Sequence, residues 1–97
     1  MEKVTDKWFK EHGWSEKKYS SDGIHIIYTL SKNNKTFARF DHHRDTNPDW
    51  RGKLHTYNWY EFFCCGNGFK VENRIFYRRM TVEQVESALK VVGLLKC

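Results

Sequence analysis

Imidazoles, carboxylates and thiols crowd the second half of the chain, with Asp41, His42, His43, Asp45 and His55 followed by the adjacent pair Cys64-Cys65. Such groups ligate zinc, so a metal site is the first chemistry to consider. The spacing does not sustain it. There is no Cys-x-x-Cys, and adjacent histidines on a strand diverge to opposite faces. His42, His43 and His55 therefore read as strand-end and loop residues, some titrating near neutral pH beside carboxylates. A hydrolase with Cys64 or Cys65 as nucleophile and His55 as base needs a depressed thiol pKa and a third, orienting group. Neither can be read from a sequence. The segment Asp41-His42-His43-Arg44-Asp45 lacks the Gly, Asn or paired-carboxylate context that holds a catalytic magnesium. The expectation is a non-enzymatic protein with no catalytic residue, metal or cofactor.

A binding surface is easier to read. Asn67-Gly68 between alternating strands is a strong hairpin signal, because both turn residues must take positive φ. A hairpin over Leu54 to Met80 with a two-residue loop pairs Cys64 with Val71, Phe62 with Asn73 and Tyr60 with Ile75 on a mostly apolar face. The opposite face pairs Cys65 with Lys70, Phe63 with Glu72, Glu61 with Arg74, Trp59 with Phe76 and Tyr57 with Arg78. Tyr57, Trp59, Phe63 and Phe76 are thus candidate stacking platforms, with Lys70, Arg74 and Arg78 as cationic partners. Rings interleaved with cations are what single-stranded nucleic acid requires. Glu61 and Glu72 subtract from that charge, and the plainer reading is that Glu61 pairs with Arg74 while a helix or a second copy half-covers the rings.

The elements that must position this surface fit one domain over residues 1–97, large enough for a modest core. An aromatic content of 16% means that a few large rings supply much of the buried area. Net charge of +5 and a pI near 9.2 favour anionic partners. Three cysteines do not make an even-numbered disulfide framework, and the start of the chain shows no hydrophobic signal region. Reduced thiols and a cytoplasmic protein are expected, with no membrane association.

A first helix is expected from about Val4 to His12, stopped by Gly13, with Trp14 packing back on Phe9. Ser15 to Asp22 reads as a polar connector. Ile24, Ile26, Tyr28 and Leu30 alternate as a strand, and a three-residue loop at Asn33-Asn34-Lys35 sets Leu30 against Ala38, Tyr28 against Phe40 and Ile26 against His42. The second strand ends near His42, leaving a long polar loop from Asp41 to Lys53. Thr81-Val82-Glu83-Gln84 is a capping box, Met80 can staple onto Val85, and Val82, Val85, Leu89 and Val92 form the stripe of a last helix ended by Gly93. The fold class expected is α+β, a four-stranded antiparallel sheet of two hairpins flanked by an N-terminal and a C-terminal helix. Its core is Ile24, Ile26, Tyr28, Leu30, Phe40, Tyr60, Phe62, Val71, Ile75, Val85 and Leu89, with both helices on one face.

This layout, with Trp8-Phe9-Lys10-Glu11-His12-Gly13-Trp14 early and Met80-Thr81-Val82-Glu83-Gln84-Val85 late, resembles small uncharacterised proteins of Gram-positive bacteria and their phages. The resemblance implies a compact accessory protein without catalysis, one that inhibits or adapts a host machine. The double-stranded RNA-binding domain also flanks a sheet with helices, but it opens its last helix with a lysine cluster that Thr81-Val82-Glu83-Gln84 lacks. The functional expectation is a binding module that holds a protein partner, or a second copy of itself, through the aromatic and basic face. Binding of single-stranded nucleic acid is the alternative.

Overall fold

The computed structural model describes residues 2–20, 23–76 and 78–95. Helix α1 (Asp6–Glu11) is followed by strands β1 (Ser15–Ser20), β2 (Gly23–Asn33), β3 (Thr36–Pro48), β4 (Leu54–Gly66) and β5 (Phe69–Phe76), then by helix α2 (Val82–Val91). The strands form one antiparallel meander in the order β1-β2-β3-β4-β5. The fold is α+β, as expected, but with five strands where the sequence suggested four.

The extra strand is the presumed connector Ser15 to Ser20. Its Glu16 and Lys18 stand opposite Tyr28 and Ile26, so no apolar alternation announces it. At a sheet edge this composition has a purpose, since charged side chains discourage edge-to-edge pairing with other chains. The long polar loop also proves shorter than expected. β3 continues to Pro48, and Thr46 to Pro48 pair with Thr56 to Leu54 as a two-stranded ribbon beyond the partners of either neighbouring strand. Only Asp49 to Lys53 remains as a turn. The Asp49 carboxylate organises it, accepting from the backbone N–H of Arg51 at 2.8 Å and of Lys53 at 2.9 Å.

The helix ends follow their signals. Trp8 N–H donates to Thr5 Oγ1 at 3.1 Å, so the first helix starts at Asp6 rather than Val4. Gly13 takes φ +81° and Trp14 N–H reaches the Phe9 carbonyl at 3.0 Å, closing a Schellman end. Thr81 and Gln84 form the reciprocal capping box, and Gly93 with Leu94 N–H on the Leu89 carbonyl closes α2 in the same way. The segment before α1 is bound to the segment before α2, because Val4 N–H donates to the Met80 carbonyl and Val82 N–H to that of Glu2. Both helices are therefore anchored to each other as well as to the sheet.

One sheet face is buried under them. Phe9 is fully buried and stacks on Tyr28 at 4.4 Å between ring centroids, with Trp14 and Phe40 at 4.8 and 4.9 Å. Ile26, Ala38, Tyr60, Phe62, Cys64, Val85, Leu89 and Val92 are among the other members of this core, with Leu30 and Val71 packed partly buried at its margin. Asn67 at φ 53° and Gly68 at φ 79° form the expected turn, and every pair expected from Trp59↔Phe76 to Cys65↔Lys70 is present. The β2–β3 register is also as expected, but the extra residue is a bulge between Ser31 and Asn33 rather than part of a longer loop. Ile24 is the exception in the core. It is 38% exposed and faces Arg44, because the covered face turns polar at that end of the sheet. The Ile75 side chain lies outside the described residues.

Candidate functional site

The face opposite the helices carries the odd-numbered residues of β1 to β4, and the register aligns several of them into a ladder. Tyr19 stands opposite His25, His25 opposite His43, and His43 opposite Trp59. The ring centroids are 5.7, 4.0 and 3.7 Å apart, and the His43 and Trp59 planes lie within 5° of parallel. Position 76 of β5 continues the row in register, although the Phe76 side chain lies outside the described residues. Trp59 is fixed in this stack by its indole N–H, which donates to Asp45 Oδ2 at 2.9 Å, and Arg74 lies 5.5 Å from its ring centroid.

A second, charged row runs alongside, from Asp41 through Glu61 to Arg74. Asp41 is buried and accepts from Arg39 Nε at 2.7 Å and Arg39 Nη2 at 2.9 Å, a bidentate pair. His25 Nε2 lies 3.4 Å from Asp41 Oδ2. His43 Nε2 lies 3.9 Å from the same oxygen and 3.6 Å from Glu61 Oε1, without a hydrogen bond to either. Burial, reinforced by the neighbouring His25, holds the His43 pKa below that of an ordinary histidine. Beyond this row Phe63 packs on Phe37 at 5.2 Å, with Lys70 5.3 Å from the Phe63 centroid and 3.2 Å from Glu72. Between the rows lies an open depression of about 900 Å³, lined by His25, Arg39, Asp41, His43, Glu61 and Arg74 among others.

Trp59, Phe63, Lys70 and Arg74 thus share this face as the sequence suggested. Tyr57 belongs to its margin, opposite Asp45 and 6.3 Å from the His55 ring. Arg78 is exposed but lies beyond the last described pair, Trp59↔Phe76, so its pairing with Tyr57 is not part of the ladder. The electrostatics differ from those of a cationic groove. Lys17, Arg39, Lys70 and Arg74 are matched by Asp41, Asp45, Glu61 and Glu72, and each of these acids accepts from or pairs with a neighbour.

Other groups with chemical potential are separated. His42 points to the covered face, where it stacks on Tyr60 at 4.8 Å. Its Nδ1 accepts from Arg79 Nη2 at 3.2 Å, so Nε2 carries the proton and donates to Asn58 Oδ1 at 3.0 Å. Burial again lowers its pKa. His55 binds Asp49 at 2.8 Å, roughly 30 Å along β4 from Cys64 at the rise of an extended strand. Cys64 is buried against the Ala88 carbonyl with its thiol pushed up to about 11, while Cys65 points to the other face. Among the described residues this disposition gives no Cys–His pair.

The sequence reading missed Tyr19, His25, Arg39 and Arg79. His25 was within reach, because the register that sets Ile26 against His42 also sets His25 against His43. Arg79 carried no such signal, since it follows the last strand and its contacts with Asp6 and His42 are purely tertiary. No helix among the described residues is long and apolar enough to cross a membrane. Comparison with protein-family models, curated proteins and solved structures finds no match to this chain.

Proposed function

We propose that this protein is a non-enzymatic binding module whose open sheet face docks a protein partner, a second copy of the chain being the simplest case. The observation that supports this reading most directly is the ladder Tyr19, His25, His43 and Trp59 beside a charge-balanced row. Tyrosine, tryptophan and arginine are the residues enriched at the centres of protein interfaces, where rigid rings supply area at low entropic cost. A nucleic-acid surface instead needs cations left over for phosphates, and the cations of this face are largely engaged with its own carboxylates. Inhibition or adaptation of a host machine is one form that such docking takes.

Light scattering on the purified chain, combined with capture from a lysate of its source cells, tests the reading. Self-association or a protein complex that tolerates salt is expected, with Trp59→Ala weakening it by about 2 kcal/mol, or roughly thirtyfold. A strictly monomeric chain that captures nothing would overturn it. Binding of a single-stranded oligonucleotide that collapses with added salt would replace it with the nucleic-acid reading.

A further inference from the structure

We propose that His25, Asp41 and His43 bind a zinc-class divalent transition-metal ion on the open face, with Glu61 able to supply a fourth ligand. One ligand atom from each of the first three residues lies within 4.8 Å of the others. Zinc takes imidazole nitrogen and carboxylate oxygen at about 2.0–2.2 Å in a tetrahedron, which places ligand atoms roughly 3.3–3.6 Å from one another. The observed separations are 3.4 Å for His25 Nε2 to Asp41 Oδ2, 3.9 Å for His43 Nε2 to Asp41 Oδ2 and 3.6 Å for His43 Nε2 to Glu61 Oε1. Binding one ion also requires the stacked His25 and His43 rings, with centroids 4.0 Å apart and planes 22° from parallel, to tilt out of the stack so that their in-plane lone pairs converge.

A second observation points the same way. His43 Nε2 is buried and has no hydrogen-bond partner, an uncommon state for a polar atom in a folded protein. It faces two carboxylates at distances too long for a hydrogen bond but close to those of two ligands on one ion. The Arg39 fork on Asp41 supplies the outer hydrogen bonding that orients ligating carboxylates. Two nitrogens with one or two carboxylate oxygens suit zinc, cobalt, nickel or copper rather than magnesium or calcium, which demand more oxygen ligands. β2, β3 and β4 are the inner strands of the sheet, so each ligand's strand is paired on both sides.

The site is independent of any partner, and the isolated full-length chain tests it. Titration of the metal-free protein with Zn²⁺ or Co²⁺ should show one ion per chain. Co²⁺ should develop visible d–d absorption and quench Trp59 fluorescence, because the His43 ring lies 3.7 Å from the indole. His25→Gln and His43→Gln should each weaken Zn²⁺ at least about tenfold, whereas His55→Gln should leave the affinity unchanged. Imidazole ¹⁵N resonances of the unaltered protein give a readout that no folding defect can imitate, with His25 and His43 shifting on Zn²⁺ addition and His42 staying in place. No binding at micromolar Zn²⁺, full affinity in the doubly substituted chain, or unmoved His25 and His43 resonances would each overturn the assignment.

Discussion

The covered and open faces are built from alternate residues of the same strands, and they treat a polar group in opposite ways. His42, on the covered face, has both ring nitrogens satisfied, by Asn58 and by Arg79, which in turn binds Asp6. His43, one residue later on the open face, lies between His25 and Trp59 with Nε2 unsatisfied. The first arrangement is that of a structural histidine. The second leaves ligating capacity in place, which a fold retains at a cost of about 1–3 kcal/mol for a buried unpaired group. The buried core thus lies on the covered face, and the recognition proposed above falls to the open one.

Truncation of a ring on each face would break that comparison most directly. Phe9→Ala removes a fully buried ring that contacts Tyr28, Trp14 and Phe40, and should cost about 3–5 kcal/mol in urea unfolding. Phe63→Ala, half-buried on the open face, should cost about 1 kcal/mol. Equal losses would show that the open face is part of the core.

Acid should act next. Burial depresses the pKa of His42 and of His43, so near the ordinary histidine value of 6.5 the unfolded chain takes up protons that the folded chain refuses. The stability contributed by the neutral rings is complete above that value and declines as pH falls from it toward the folded-state values. The urea midpoint should drop between neutral pH and about pH 5.5, and His42→Gln should flatten part of that drop. A midpoint unchanged over this interval would refute the neutral buried state. The smallest effect should follow Arg74→Ala, whose pair with Glu61 is well exposed, at about 0–1 kcal/mol of stability measured by the same unfolding.

Much of this was legible wherever a local rule acts alone. Gly13, Asn67-Gly68, the Thr81 and Gln84 box and Gly93 each fix backbone geometry within a few residues, and all are found where they were read. The β1 strand and the β3–β4 ribbon were not legible. Ser15 to Tyr19 and Arg44 to Pro48 bury little, so hydrophobic period carries no signal there and hydrogen bonding to a neighbouring strand decides the conformation. The candidate site falls between these cases, since the identity of the rings was plain but the cluster of His25, Asp41 and His43 depends on two strands meeting in one register.

By itself the sequence determined which strand residues face inward, because a period of two leaves no choice once Tyr28, Phe40, Tyr60 and Phe62 must be buried together. Within the β2–β3 and β4–β5 hairpins the turns also set which outward-facing residues become neighbours, and only the tertiary structure decided how β1 meets β2 and β3 meets β4. Cross-strand contact depends on register summed over β1 to β4, and no local preference of Tyr19, His25, His43 or Trp59 encodes it.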